Sequence, residues 1–370
     1  MNRNKSILTA FGIFLICGTV WGQHQSTIIP GKSWKDEDGS LLQAHGGGVI
    51  KHGDTWYFYG ENKRYGYFPS PGVSCYSSRD LINWKHEGVV CPNWIQDGKS
   101  IVPNTPEKFQ SETKRPVIER PKVIYNEQTG KFVMWMHLEG RVDESRPFYQ
   151  VSMAGIAVSD SPTGPFEYVN SLRPIPGALH QQFSDDEALQ QFNLGSTFRD
   201  MNLFKDEDGK AYVIYAAEQN YTMHIVALTD DYCSVQNPVM GKTWNRILVE
   251  EHREAPALFK YSGIYYLLSS PCKGWSPGKA ELHSSEHILG PYRSRGNPLH
   301  GKDSHITFGA QSTFVLPIDQ EKGHFMFMAD KWERNNIAES GYVWLPFEVK
   351  ENVAPSIHWI DEWDLSWFDR

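Results

Sequence analysis

The stretch from Arg253 to Ser270, REAPALFKYSGIYYLLSS, carries the plan on which most of the chain is built. A carboxylate, Glu254, opens an apolar run, Ser262 and Gly263 supply a turn, and an aromatic strand returns through Tyr265, Tyr266, Leu267 and Leu268. Two apolar runs joined by a short Gly-containing turn read as a β-hairpin. The plan recurs as HGGGVIKHGDTWYFYGE (His45 to Glu61), ERPKVIYNEQTGKFVMWMH (Glu119 to His137), RDMNLFKDEDGKAYVIYAAE (Arg199 to Glu218) and AQSTFVLPIDQEKGHFMFMAD (Ala310 to Asp330). Each hairpin is followed by a further pair of strand-like segments: VSCYSSRDLINWKHEG, GIAVSDSPTGPFEYV, MHIVALTDDYC, AELHSSEHILGPYRS and YVWLPFEVKENVAPSIHWI. Five such units predict an all-β chain, a five-bladed β-propeller with four antiparallel strands per blade around a central channel. The innermost strand of every blade begins at the same end of that channel. The residues opening the hairpins, His45, Glu119, Asp200, Glu254 and Gln311, are therefore expected to meet at one mouth.

Length and composition agree. A chain of 370 residues has room for two or three average domains, but repeats spanning nearly all of it favour one large β domain, residues 23–370. Charged residues at 22% and hydrophobic ones at 40% suit a globular chain with a buried core. The net charge of −8 offers no basic field for a phosphate backbone, which argues against a nucleic-acid partner.

Residues 1–22 read as an export signal. Arg3 and Lys5 precede an apolar run from Ile7 to Val20 that is too short to span a bilayer comfortably, and small Gly18 and Gly22 end it. Cleavage near Gly22 and Gln23, a periplasmic or extracellular location and no membrane span are expected. Cys17 lies where a lipoprotein signal would place one, but Ile16 stands before it where a small residue is wanted. Of the remaining Cys75, Cys91, Cys233 and Cys272, the first two flank a predicted hairpin, and export would permit disulfides. No Cys/His metal spacing is present, so no metal is expected, and the four read as mostly buried thiols.

In blade one, AHGGG (Ala44 to Gly48) removes side chains where the strand enters, allowing close approach of backbone or ligand. His45 reads either as a donor facing the channel or as a satisfied core histidine, and Glu61 either as a channel residue or as a solvated strand end. Blade two opens with Glu119 and Arg120; a carboxylate beside a guanidinium at the start of a buried strand is costly unless paired or used. Arg199 and Asp200 pose the same choice in blade three. The DEDG of Asp206 to Gly209 has the composition of a calcium loop without its ligand pattern and reads as a hairpin turn. An apolar neighbourhood around Glu254 would raise its pKa and keep it protonated, as a general acid requires. Trp275 in PCKGWSP and Trp332 after MADK supply flat rings beside the same mouth, and Trp94 stands in a polar loop over it.

At AHGGGVI, YGENK, VSCYSSRDLINW, ERPKVIYN, GIAVSDSPTGPF, RDMNLF, EAPALFK, GWSP, QSTFVLP and YVWLPFEV the chain resembles family 43 of the glycoside hydrolases, and most closely its branch of exo-acting β-1,3-galactanases and galactosidases. The resemblance implies a five-bladed propeller enzyme that hydrolyses glycosides with inversion, acting on an oligosaccharide or polysaccharide; no cofactor and a monomeric state are expected. It assigns Glu254 as general acid, Asp200 as the carboxylate that modulates and orients it, and Glu119 as a carboxylate on the pocket floor. His45, Glu61, Arg120, Trp275 and Trp332 would contact the sugar. Most of the family carries an Asp near the start of blade one as general base, and AHGGG has none. The galactanase-like branch shares that departure and is thought to hold the attacking water with a glutamine, a position matched by Gln311. Arabinofuranosidase or galactofuranosidase activity, a sugar-binding propeller without catalysis, and a protein-interaction propeller are the competing readings.

Overall fold

Ser262 and Gly263 do close a hairpin, with Arg253–Tyr261 antiparallel to Ile264–Pro271, and the same unit occurs five times in the chain. The computed structural model describes residues 25–67, 70–93, 95–96, 99–100, 116–141, 147–175, 195–274 and 276–370. Blade one comprises His45–His52, Thr55–Glu61, Gly72–Ser78 and Lys85–Pro92; blade two comprises Val117–Asn126, Lys131–Arg141, Pro147–Ser159 and Glu167–Leu172. Blade three runs through Met201–Lys205, Ala211–Ala217, Thr222–Ala227 and Trp244–Ile247, and blade four adds Glu281–Ser285 and Arg293–Gly296 to its hairpin. Blade five has Gln311–Asp319, His324–Lys331 and Gly341–Glu348. The first strands of successive blades pack against one another, and that of blade five returns to that of blade one, so the ring is closed from within.

Two outer strands differ from the expectation. In blade three the fourth strand is Trp244–Ile247, because residues 229–234 are occupied by a turn in which Thr229 and Ser234 bond each other. In blade five the fourth place is taken by the start of the chain: Lys32 forms an antiparallel bridge with Tyr342, and Ile28 one with Trp363. The segment Ile357–His358 instead runs parallel to Leu299–His300. The Asp206 to Gly209 turn closes its hairpin as read, with the Gly209 N–H on the Asp206 carbonyl at 3.0 Å.

The core is divided among the seams between blades. Five apolar clusters each draw on two neighbouring blades, from Ile124, Trp135, Val213 and Tyr215 between blades two and three to Phe58, Trp84, Met326 and Trp344 between blades five and one. Trp84, Trp135, Trp244 and Trp344 are fully buried, so these large rings serve packing between sheets. Cys75, Cys91, Cys233 and Cys272 are free thiols, the first two buried and the others half-buried. Among the described residues no helix is long and apolar enough to cross a membrane.

Tyr342 sits on the closing seam. Its hydroxyl donates to the Leu42 carbonyl at 2.9 Å and accepts from the Ala44 N–H at 3.1 Å, beside the entry of blade one. Replacing it by Phe leaves a buried N–H unmet, and we expect Tyr342→Phe to lower unfolding stability in urea by about 1–3 kcal/mol with an unchanged m-value.

Candidate active site

Three of the five inner strands share one local device at the mouth. A β-bulge follows His45, Glu119 and Glu254, between pairs His45/Gly48, Glu119/Lys122 and Glu254/Ala257. The next residue in each case is left-handed: Gly46 at φ 58°, Arg120 at 53° and Ala255 at 55°. Such a bulge bends the strand and re-aims the side chain before it. At Gly46 only glycine fits, since a Cβ would lie 2.2 Å from Glu61 Oε1.

Of the side chains so placed, Glu119 and Glu254 line a cavity of about 220 Å³ together with Glu61, Arg120, His137, Tyr149, Arg199, Asp200, Asn220, Gly274, Gln311 and Trp332. The buried Arg120 guanidinium ties the wall together. It donates to the Ser312 carbonyl at 2.8 Å and to Gln311 Oε1, and lies 3.3 Å from Asp200 Oδ2. Its own backbone N–H meets Glu61 Oε1 at 2.8 Å, while Glu61 Oε2 holds Lys63 Nζ at 2.5 Å. Gln311 then turns its Nε2 to Glu254 Oε1 at 2.9 Å, because Arg120 and the Trp332 indole N–H, at 3.4 Å, fix its oxygen on the other side.

Glu254 is 8% exposed. Burial, followed by the nearby Asp200 carboxylate, pushes its pKa up to about 8 against the pull of Arg120. Asp200 accepts the Ala255 N–H at 3.1 Å, so the left-handed turn after Glu254 is what places these two acids side by side. Glu119 behaves oppositely. Burial alone would raise it, but the hydrogen bond and charge of His137, 3.1 Å away, pull its carboxyl well below the usual range, helped by Tyr149 donating at 2.6 Å. His137 is held protonated, despite its burial, between Glu119 and Glu139, the latter at 2.8 Å. The site thus offers one carboxyl, Glu254, kept neutral and another, Glu119, kept ionised, the separation on which acid and base roles rest.

Glu119, His137 and Asp200 bring three donor atoms within 4.8 Å of one another. His137 is an imidazolium between two carboxylates and Asp200 is engaged by Arg120 and Ala255, so these groups would have to surrender those bonds to ligate a cation.

Of the residues expected from the sequence, Glu119, Asp200, Glu254, Gln311, Glu61, Arg120 and Trp332 line the cavity. The expectation that His45 faces the sugar is corrected. It is fully buried, stacked on Tyr342 at 4.9 Å and an interplanar angle of 3°, with Asp330 at 3.6 Å and the Trp332 ring 5.5 Å away. Trp275, Trp94 and residues 1–22, read above as an export signal, lie outside the described residues. His137, Tyr149 and Asn220 were not singled out in the sequence, whereas Arg199 was, beside Asp200. For His137 a signal existed: it stands on the return strand directly opposite Glu119, as Glu61 does opposite His45 and Asp330 opposite Gln311.

Gly46 and Gly53 share nearly the same backbone, at φ 58° and 59°, but nothing lies within 4 Å of a Cβ added at Gly53. Gly53→Ala should cost about 1–2 kcal/mol from left-handed strain alone. Gly46→Ala should cost clearly more, because Glu61 is held in place by Arg120 and Lys63. Equal losses in urea unfolding would show that Glu61 is free to move.

The description "Glycosyl hydrolases family 43" belongs to the family model that matches residues 47–336. Among solved structures, a β-1,3-galactosidase of that family with galactodeoxynojirimycin is 38% identical at a TM-score of 0.80, covering 91% of this chain and all of that one. An exo-β-1,3-galactanase from Clostridium thermocellum is 33% identical at a TM-score of 0.74, over 91% of this chain and 66% of that one. A Glu-to-Gln variant of an exo-β-1,3-galactanase from Phanerochaete chrysosporium with β-1,3-galactotriose is 28% identical at 0.73, over 92% and 68%. A xylan 1,3-β-xylosidase from a Vibrio species is 21% identical over 85% of this chain, which spans about half (54%) of that protein's length.

Proposed function

The chain belongs to family 43 of the glycosyl hydrolases and is a glycoside hydrolase, and from that premise we propose that it is an exo-acting, inverting enzyme releasing galactose from β-1,3-linked galactan. One observation carries the reading: Glu254, kept neutral by burial and by Asp200, shares a sugar-sized cavity with an ionised Glu119 and with Gln311. The solved relatives that act on β-1,3-galactosides support the substrate class.

In this reading Glu254 protonates the departing glycosidic oxygen. Asp200 raises its proton affinity and, through the Ala255 N–H, fixes its strand. Inversion requires a water activated on the far side of the anomeric carbon, with acid and water-holding group about 6.5–9.5 Å apart. An amide is too weak a base to take the proton outright, but its carbonyl orients a water. Gln311 Oε1 is firmly bonded to Arg120 and only loosely to Trp332 at 3.4 Å, so the Trp332 contact is the one a water replaces. Glu119, with Tyr149 and His137 behind it, is a fixed anion on the cavity floor, suited to accept sugar hydroxyls. Export of the mature chain after removal of residues 1–22 belongs to the same proposal, on the strength of Arg3, Lys5 and the apolar run to Val20.

Incubation with β-1,3-galactobiose, followed by proton NMR of the first anomer released, tests the reaction. Release of α-galactose supports it; β-galactose would refute inversion, and binding without product would leave a lectin-like propeller. Glu254→Gln should lower hydrolysis of that disaccharide by about 10²–10⁴-fold, and Gln311→Ala should lose activity while keeping its unfolding midpoint.

The proton on Glu254 also sets a pH dependence. Activity should fall as the pH rises past about 8, where the acid ionises. The folded protein holds this proton more tightly than the unfolded chain does. Stability from this group is therefore complete below about pH 4.5 and is lost as the pH rises to about 8. Glu254→Gln, which cannot ionise, should accordingly gain in melting temperature relative to the parent at pH 9 but not at pH 4.5.

A further inference from the structure

Between the second and third strands of blade three, Glu218, Gln219 and Asn220 all take left-handed backbone, at φ 51°, 55° and 65°. None is glycine, and L-residues adopt this region at a cost of roughly 1–2 kcal/mol each. Three in succession persist only where the surroundings hold them. Those surroundings are specific. The buried Glu218 carboxylate receives both Arg246 Nε and Nη2 at 2.7 Å and meets His224 Nε2 at 2.8 Å. Gln219 N–H donates to Thr197 Oγ1 at 2.9 Å, and its Oε1 accepts from Arg199 at 2.7 Å.

What the strained turn delivers to the cavity is the Asn220 amide. Its Nδ2 donates to Glu254 Oε2 at 3.3 Å, and its Oδ1 is buried with no donor among the described residues. The other Glu254 oxygen accepts from Gln311 Nε2, whose orientation Arg120 and Trp332 dictate. A proton on Oε1 would face that N–H, donor against donor. The transferable hydrogen therefore belongs on Oε2, beside Asn220. Rotated by half a turn, the amide presents Oδ1 to an O–H; as found, it presents N–H to a carboxylate. Either orientation is permitted, since amide oxygen and nitrogen are set by their partners.

We propose that Asn220 is a positioning residue for proton delivery: it places the acidic hydrogen of Glu254 on Oε2, accepting it in the resting enzyme and donating to the carboxylate after transfer. The inference rests on Glu254 being the general acid. The other groups facing Glu254 are Asp200, Arg120 and the Cys272 thiol, with Arg253 on its own strand.

Two variants test the role without opposing the backbone, because Gly and Asp both tolerate left-handed φ. Asn220→Gly removes the amide. It should lower kcat/KM on β-1,3-galactobiose about tenfold, the equivalent of one lost hydrogen bond of roughly 1.4 kcal/mol. It should leave 2,4-dinitrophenyl β-galactoside, whose leaving group needs no proton, within about twofold of the parent. Asn220→Asp places a second anion beside Glu254 and should move the alkaline limb of the activity profile to higher pH. Equal losses on both substrates, or an unmoved limb in Asn220→Asp, would overturn the proposal. Should the parent cleave neither galactoside, the substrate reading fails instead. The Asn220 role is then read from the carboxyl carbon-13 shift of Glu254: its titration must move upward in Asn220→Asp, and an unchanged midpoint refutes it.

Discussion

A buried guanidinium has five N–H donors and no way of losing its charge, so everything around Arg120 must be arranged to receive it. It belongs to blade two, yet its partners are Glu61 of blade one, Asp200 of blade three, and Gln311 and Ser312 of blade five. Gln311 carries the connection on to Glu254 of blade four. The ring of blades is thus stitched at the mouth by one chain of hydrogen bonds, and the orientation of each acid follows from it. Arg120 can be so central because its backbone is left-handed, which points its N–H and its side chain to different blades.

The same conformation recurs at Gly46 and Ala255, and it resolves a conflict inherent in the architecture. An inner strand must alternate its side chains between the two seams it fills, which leaves none aimed along the channel. A bulge after the opening residue breaks the alternation for that residue alone. In blade one the device is occupied by a glycine so that Glu61 fits against it; in blade four it carries the Ala255 N–H to Asp200. Below it, Lys122 is buried with its ammonium on the Gly46 carbonyl at 2.6 Å, and burial followed by Arg120 pushes its pKa down to about 7. The pKa of Glu254 is nevertheless raised, because burial and, after it, the Asp200 carboxylate outweigh the pull of Arg120.

Five hairpins, their turns and the convergence of Glu119, Asp200, Glu254 and Gln311 were legible in the amino-acid order, since strand alternation and Gly turns are local properties that repeat whatever the loops between them do. The outer strands were less so. Residues 229–234 bond among themselves, so the outer strand of blade three falls to Trp244–Ile247, and Ile357–His358 pairs with Leu299–His300 while Lys32 bridges Tyr342 at the edge of blade five. An outer strand is chosen by which edge is left open, a fact about the whole ring.

The sequence by itself determined that acids and amides of distant segments share one mouth, because a propeller's inner strands have one direction. Tertiary structure alone decided what each of them is. Glu119 and Glu254 are the same residue type at equivalent places, yet one has an imidazolium against it and the other a second carboxylate, so one is ionised and the other neutral. His45 opens its strand as they do, but Tyr342 and Asp330 draw its ring into the seam. Protonation and direction depend on what approaches from neighbouring blades, and those neighbours are tens of residues away along the chain.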